Sequence, residues 1–398
     1  MKSLEKIKEQ TQTSEPETKE RQLPVGIGGA ELKKDRETLP AIEVANEVAW
    51  VNNKMNSPFD LKVGRQSRLG MFLTPNPQEG ENIFNLEVSE SHTRSGILGR
   101  VIFNDKEGRL YRDIDLKGMG YITSGPDVDG KGYKREVGQV LGSYGKISGE
   151  QSQFSYFLGT TGIANQELIR RDIDFSEKFL KAGIRTHRVI AVIDLTEIID
   201  EDGKKISIAA AKEKDILSKE DEPVIEVRAF GVRSRLFDLM NHSKNIASDG
   251  TLPPKARKIL DDAKSFVTQE QNINLANFTD DAYFKWLADT IAINIARMCH
   301  HGWVSGYLTV HNITLDARLV DLDSVIVFRE DRDEEGVNGM RKSYENDFDY
   351  AREELTAFFS TLAPEKDNTK YGKSFNAAYK TELARLKLEK KPHKPKNK

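Results

Sequence analysis

The residues best suited to bind a metal and phosphates lie close together in the last third of the chain. Asn312 and Asp321 are nine positions apart, and their side-chain oxygens are hard ligands of the kind that Mg²⁺ or Mn²⁺ prefers on a phosphate chain. Asp321 lies in the apolar strand-like sequence VDLDSVIVF, where an unpaired carboxylate is costly. Asp323, two residues further on, is placed to share the metal-binding role of Asp321 or to orient its side chain. We therefore predict a metal-binding loop within residues 299–328.

His311, immediately before Asn312, is the candidate acid–base residue. An imidazole titrates near neutral pH, so His311 is suited to accept a proton from a substrate hydroxyl. A rival interpretation is a zinc site formed by His300, His301 and His311, although no further nearby Cys or His completes that ligand set. The single cysteine, Cys299, is interpreted as a small buried residue in preference to a catalytic thiol.

Lys117 is the candidate lysine for contacting nucleotide phosphates. It ends a predicted strand, and a lysine so placed points inward only if it has an anionic partner. Kinase-like folds use a lysine in this position, paired with an acid on the next helix. The acids available on the next predicted helix are Glu167, Asp172 and Glu177. The alternative is an exposed lysine at a strand end.

Arg228 and Arg235 are the candidate arginines. Arg228 lies in a predicted strand, and Arg235 follows seven residues later. A guanidinium fork can hold a phosphate through two hydrogen bonds, although either arginine is also compatible with an ordinary surface charge.

The elements that would position these side chains follow from hydrophobic periodicity. Apolar runs predict strands at 83–90, 97–103, 110–117, 188–195 and 223–232, with a polar turn at 91–95. Amphipathic spacing predicts helices at 165–182, 233–245, 254–270, 280–300, 343–363 and 373–388. The Gly- and Ser-rich residues 121–162 are predicted to form long loops.

This order of elements predicts an α+β protein with a bilobal, protein kinase-like fold. Residues 41–232 would form a small β-rich N-terminal lobe, and residues 233–386 a larger, mainly helical C-terminal lobe that contains the metal-binding loop. A nucleotide would bind between the lobes. The polar residues 1–40 are predicted to be a disordered arm, and residues 387–398 a basic, flexible tail.

The bulk composition narrows the class of protein. The chain has 398 residues, a length that allows a sizeable hydrophobic core. Hydrophobic residues make up 37% of it and charged residues 31%. Its net charge of −3 gives no broad basic field, so we expect no nucleic-acid partner. No apolar run approaches the roughly 18 residues of a membrane span. Without a recognisable signal peptide or cysteine pair, we expect a cytoplasmic protein.

Two blocks of the sequence resemble the selenoprotein-O type of protein kinase-like adenylyltransferases. LKGMG at residues 116–120 is similar to that family's LKGxG, which follows its third strand. RDIDFSEKFLKAGIRTHRV at residues 171–189 is similar to its REFLxSEAMxxLGIPTTRA. The resemblance keeps the same order of blocks over about residues 85–330.

Three shorter features extend this resemblance. Arg228 and Arg235 match the family's two arginines seven positions apart. CHHG at residues 299–302 is similar to its CHG, and Asn312 and Asp321 keep its nine-residue spacing.

The resemblance implies a protein kinase fold that binds ATP in a flipped orientation and transfers AMP to a Ser, Thr or Tyr hydroxyl. It implies a set of residues that contact the phosphates or the metal: Lys117 paired with Asp172, then Arg228, Arg235, Asn312 and Asp321. His311 occupies the position where the family has an aspartate, and the family's Arg-containing glycine loop has only a loose counterpart at residues 159–162.

Three hypotheses about function follow. The first is an ATP- and Mg²⁺- or Mn²⁺-dependent nucleotidyltransferase that adenylylates protein hydroxyl groups, with His311 and Asp321 as catalytic residues. The second is a kinase-fold phosphotransferase acting on a hydroxyl of a protein or small molecule. The third is a catalytically inactive, nucleotide-binding scaffold, which the histidine at position 311 suggests.

Overall fold

The computed structural model describes residues 37–389, with gaps at 75–79, 90–91, 121–163, 201–202, 215, 218, 220, 245, 247–249, 307, 328–333 and 363–367. The predicted loops at 121–162, including the loose glycine-loop counterpart, lie outside the described residues. The same holds for most of the predicted arm and tail.

A large antiparallel sheet dominates the first half of the described chain. Its strands are β1 (Glu37–Glu43), β2 (Asn46–Val51), β3 (Met71–Leu73), β4 (Ile83–Ser89), β5 (His92–Asn104), β6 (Leu110–Lys117), β7 (Ala164–Asn165), β8 (Arg188–Leu195) and β11 (Pro223–Phe230). Between β8 and β11, β9 (Glu197–Ile199) and β10 (Lys205–Ser207) form a separate two-stranded ribbon. The nine strands of the sheet follow the order β2–β8–β11–β6–β5–β4–β1–β3, and β7 pairs with one end of β11. Strands β6 and β11 therefore lie near its middle.

The helices follow mainly in the second half. They are α1 (Gln166–Lys181), α2 (Ile208–Glu213), α3 (Leu236–His242), α4 (Pro254–Gln271), α5 (Asp280–His301), α6 (Glu334–Leu362) and α7 (Thr369–Glu389). A two-stranded ribbon, β12 (Trp303–Val304) with β13 (Ile326–Val327), and a 3₁₀ turn at Leu322–Ser324 lie between α5 and α6.

Helix α5 shows how local sequence sets these boundaries. The Thr279 side chain accepts a hydrogen bond from the Ala282 amide at 3.2 Å and caps the helix start. Histidines occupy the last turn, where positive charge is favoured by the helix dipole. Gly302 ends the helix with φ of 71°, a left-handed conformation that costs glycine little.

The two central strands separate apolar from charged side chains, because successive residues of a strand point to opposite faces. On one face, Ile114, Leu116, Val227 and Ala229 are buried in an apolar core. On the other face lie Asp113, Asp115 and Lys117 of β6 with Glu226 and Arg228 of β11. The register places Arg228 opposite Asp115 and Glu226 opposite Lys117. This charged face packs against α1, which in turn contacts the 3₁₀ turn.

Separate hydrophobic clusters stabilise the sheet and the helices. One is built from the sheet and α2, with Phe72 and Tyr111 among its buried rings. A second is built mainly from α3 to α7, with a contribution from α1, and a small third cluster lies between α1 and the sheet. Tyr283 is fully buried there, and its hydroxyl donates to the Leu315 carbonyl at 2.6 Å, which ties α5 to the loop that carries Asn312.

The predicted α+β class is confirmed, and the predicted strands and helices form with shifted ends. Residues 37–40, which we assigned to the arm, begin β1 because they pair with β4. Residues 92–95, predicted as part of a turn, belong to β5. The predicted tail begins three residues too early, since α7 continues to Glu389. Helix α6 begins nine residues before its predicted start at 343.

Among the described residues, no helix combines the length and apolarity needed to cross a membrane.

Candidate functional site

The residues selected from the sequence converge at the charged face of the sheet. Lys117 is the last residue of β6. Its ammonium lies 3.2 Å from Asp323 Oδ2 and 3.6 Å from a carboxylate oxygen of both Asp172 and Asp321. Burial of the Lys117 ammonium lowers its pKa, but the surrounding carboxylates outweigh this and raise the pKa above its usual value. Lys117 is therefore charged and buried among acids, not exposed at a strand end.

The acid on α1 that pairs with Lys117 is Asp172. Its side chain is fully buried, and its second oxygen lies 3.0 Å from His187 Nε2. Burial favours the neutral carboxyl, but His187 and Lys117 outweigh that effect and hold the pKa of Asp172 well below its usual range. Glu177, the alternative, instead binds Arg188 through both its oxygens, at 2.6 and 2.8 Å.

Asp321 links the lysine to the arginines. Arg235 Nη1 lies 3.1 Å from its Oδ2, and Arg228 Nη1 lies 3.4 Å from its Oδ1. The predicted strand around Asp321 is wrong: the residue adopts a left-handed conformation with φ of 58°, and a 3₁₀ turn follows. The chain reverses there because the Val320 amide donates to the Asn312 carbonyl, which folds the loop back onto itself.

The two arginines are held differently. Arg228 is fully buried, and its Nε and Nη2 atoms donate to the two oxygens of Asp115, both at 2.9 Å. Among the described residues, no carboxylate binds two nitrogens of Arg235; its Nη1 contacts Asp321, the His311 carbonyl and, at 3.5 Å, Asn312 Oδ1. Burial lowers the pKa of Arg235, and Asp321 opposes that effect only in part. Arg235 is thus the arginine whose charge an added anion would stabilise most.

His311 and Asn312 occupy the same loop, but their side chains differ in environment. Asn312 is buried beside Arg235, whereas the His311 ring stacks on Phe237 with ring centroids 3.8 Å apart. Burial and the neighbouring Arg235 lower the pKa of His311. The imidazole is therefore neutral at pH 7, as a proton acceptor must be.

Acids of α6 hold the loop that precedes His311. The carboxylate of Asp347 accepts hydrogen bonds from the amides of Ser305 and Gly306, at 2.8 and 2.9 Å, and Glu354 accepts one from Val310 at 2.9 Å. Burial raises the pKa of Asp347 to about 6. Helix α6 thereby fixes both ends of residues 305–310.

Four further residues of the site were not selected from the sequence: Asp115, His187, Glu226 and Arg233. Arg233 donates to Asp115 at 3.0 Å. Glu226 is fully buried, and burial together with the Asp172 carboxylate raises its pKa well above the usual value. A sequence signal existed for Glu226, since it interrupts the otherwise apolar run PVIEV. His187 follows Thr186 with no pattern that distinguishes it.

We call the convergent set of charges the charged cluster: Asp115, Lys117, Asp172, Arg228, Arg233, Arg235, Asp321 and Asp323. Four cations face four carboxylates, so their charges balance and the cluster can be buried without a ligand. Chemically, it offers cations for phosphates and hard oxygen donors for a metal at one place.

The rival zinc site is not supported. Among the described residues, the ring nitrogens of His300, His301 and His311 do not lie within metal-binding reach of one another. The group whose possible ligand atoms do lie that close is Asp172, His187 and Glu226. Burial raises the pKa of the Cys299 thiol, which does not favour a catalytic thiolate, although the residue is only partly buried and not buried as predicted.

Two surface cavities lie away from the charged cluster. The larger, about 550 Å³, lies between α1 and the edge of the sheet and is lined by residues such as Trp50, Ile173 and Glu177. The smaller, about 300 Å³, is lined by residues that include Glu43, Glu197 and Lys205. Neither is lined by a residue of the charged cluster.

No protein-family model matches the chain, and no curated protein matches it either.

Proposed function

We propose that the protein is a nucleotidyltransferase of the selenoprotein-O type, with a bilobal kinase-like fold, which uses ATP with Mg²⁺ or Mn²⁺ to transfer AMP to protein hydroxyl groups. The observation that carries the proposal is the approach of Lys117 to both Asp172 and Asp321. These residues come from a strand, a helix and a loop that are far apart in sequence. A lysine shared between a helix acid and a loop acid is the arrangement that kinase-like phosphate sites use.

The separate hydrophobic clusters support the bilobal part of the proposal. The sheet cluster would be the core of the N-terminal lobe, and the helical cluster that of the C-terminal lobe. The charged cluster joins residues of the sheet to residues that follow α5, which is where a nucleotide between lobes would place its phosphates.

The donor atoms present fit a hard divalent ion. Asn312 offers an amide oxygen and Asp321 a carboxylate, and Asp321 already attracts three cations, as a charge-rich oxygen would attract Mg²⁺. Such an ion would neutralise phosphate charge during transfer. Lys117 and Arg235 would hold phosphate oxygens, while Arg228, gripped by Asp115, would mainly fix the position of Asp321.

His311 would accept the proton of the acceptor hydroxyl. Its lowered pKa keeps it neutral near pH 7. Most of the remaining rate enhancement would come from positioning the phosphates and neutralising their charge.

The test is incubation of the protein with ATP labelled at the α-phosphate or, separately, at the γ-phosphate, followed by detection of labelled protein. We expect label from the α position only, dependent on Mg²⁺ or Mn²⁺. Lys117→Met should abolish labelling, whereas Lys285→Met, which changes a lysine that is 61% exposed, should leave it unchanged. Label from the γ position alone would refute AMP transfer and establish the phosphotransferase hypothesis.

The stacking of His311 on Phe237 favours the inactive scaffold as a second candidate, because a stacked ring is restrained from reaching a substrate. That hypothesis expects ATP to stabilise the protein in a thermal-shift experiment without any label transfer. It also expects His311→Ala to bind ATP as tightly as the wild type. Loss of label in His311→Ala with ATP binding retained would instead assign the proton transfer to His311.

A further inference from the structure

A second group of metal-ligand side chains lies beside the charged cluster, under the same helix. Asp172, His187 and Glu226 come from α1, from the residue before β8, and from β11. One donor atom of each lies within 4.8 Å of a donor atom of the other two, and all three side chains are fully buried. The three ligands are therefore held on rigid elements, in a position that bulk water does not reach.

Among the described residues, the oxygens and ring nitrogens of this group form no hydrogen bonds. Within the described part of the chain, neither carboxylate oxygen of Glu226 and neither ring nitrogen of His187 has a hydrogen bond. His187 Nε2 and Asp172 Oδ1 are 3.0 Å apart but are not aligned for a hydrogen bond. A buried polar atom without a hydrogen-bond partner is costly, and this group contains several such atoms. Buried donor atoms that converge without hydrogen-bond partners are typical of a ligand-binding site.

We propose that Asp172, His187 and Glu226 bind a divalent metal ion of the Zn²⁺ type. This structural site is distinct from the proposed Mg²⁺ site at Asn312 and Asp321. An imidazole nitrogen with two carboxylate oxygens is a mixed ligand set that suits Zn²⁺ better than Mg²⁺. Stacking of the His187 ring on Phe230, with centroids 5.5 Å apart, fixes the direction of its nitrogens.

The surrounding charges leave room for the ion. Lys117 is closest to Asp323, at 3.2 Å, and its contact with Asp172 is with Oδ2, not with the Oδ1 that faces His187. Arg228 is bound through two of its nitrogens by Asp115. The neighbouring cations thus have carboxylates of their own, and one oxygen of Asp172 and the whole carboxyl of Glu226 remain for the metal. The ion would link α1 to the middle of the sheet and so set the distance between Asp172 and Lys117.

The experiment is to express the full chain in zinc-supplemented medium, dialyse it, and measure bound metal by mass spectrometry. Because the site is buried, protein refolded from denaturant with and without Zn²⁺ is measured in parallel. We expect one Zn²⁺ per chain. Glu226→Gln and His187→Gln keep the side-chain volume but remove a direct ligand, so each should weaken Zn²⁺ binding. The loss of affinity should exceed the roughly 10–100-fold that follows when a residue hydrogen-bonded to a metal ligand is removed.

Asn312→Ala is the matched control, because it removes a ligand of the proposed Mg²⁺ site and leaves the triad intact. It should bind Zn²⁺ like the wild type. A wild type without bound Zn²⁺ after both loading routes would overturn the proposal, as would equal Zn²⁺ content in the wild type and both glutamine variants. Circular dichroism of the variants separates lost binding from lost folding. Since Zn²⁺ content is read without ATP, failure of the nucleotide hypothesis would not affect this result.

Discussion

Replacing Arg228 by methionine should destabilise the protein far more than the same change at Arg235. Methionine keeps most of the apolar stem and removes the charge, so the two variants compare what each guanidinium does. Removing one partner of a buried ion pair leaves an uncompensated charge and costs about 3–5 kcal/mol. The difference between the two sites follows from the partners each would leave behind.

Arg228→Met leaves Asp115 fully buried, with its two 2.9 Å hydrogen bonds to the fork lost. Asp115 keeps one bond to Arg233 at 3.0 Å, so we expect a loss near the lower limit, about 3 kcal/mol. Arg235→Met leaves Asp321, which is 19% exposed and retains Lys117 and Arg228 nearby. A loss of about 1 kcal/mol is expected there, as for the loss of one modest charged contact.

The assay is urea-induced unfolding followed by tryptophan fluorescence, with the free energy of unfolding extrapolated to water. Trp50 lies in β2 of the sheet and Trp286 packs against the helical cluster, so the signal reports on both the sheet and the helices. The expected difference of about 2 kcal/mol corresponds to roughly a 30-fold change in the unfolding equilibrium constant. Equal losses, or a larger loss for Arg235→Met, would refute the assignment of Arg228 to structure and Arg235 to ligand binding.

Two further predictions concern backbone geometry and pH. Gly118→Ala would place a Cβ atom 2.4 Å from the Val224 carbonyl oxygen. It should therefore lower the free energy of unfolding by roughly 1–3 kcal/mol more than Gly250→Ala, where φ is also positive but no atom of the described residues would lie within 4 Å of the new Cβ. Equal losses by urea unfolding would contradict the clash. Asp347 has its pKa raised to about 6 in the folded state, against about 3.9 when unfolded. The folded state therefore holds the proton more tightly, and stability should fall by about 3 kcal/mol as pH rises from about 3 to about 7, relative to Asp347→Asn measured in parallel. Identical pH profiles of the two proteins would contradict it.

The residues that carry chemistry could be chosen from the sequence because their types are costly in their local surroundings. Lys117 at a strand end, Arg228 within an apolar strand, and Asp321 among valines and leucines each require a partner if buried. Each is buried or nearly so, and each has a partner of opposite charge. Burial cost is a local property of residue type and neighbours, so a sequence can indicate it.

The residue pattern alone left the partners of these residues open, because pairing depends on helix phase and strand register; only the family resemblance implied Asp172. Asp172 and Glu177 are five residues apart on α1, about 140° around the helix axis, so only one can face Lys117. The packing of α1 on the sheet selects Asp172 and turns Glu177 towards Arg188. Likewise, the register of β6 and β11 places Asp115 opposite Arg228, and a shift of one residue would have removed that pair.

The α+β class, the approximate extents of the strands and helices, and the charged residues that need partners could be predicted from the sequence, because periodicity and burial cost are local. Of the three acids on α1 that the residue pattern left open, the fold brings Asp172 to Lys117, which is the acid that the family resemblance implied. The fold also places Asp321 in a left-handed turn and brings His187 and Glu226 to Asp172, and the residue pattern predicted neither. These contacts depend on which distant segments of the chain pack together, and a local pattern of residues does not specify that packing.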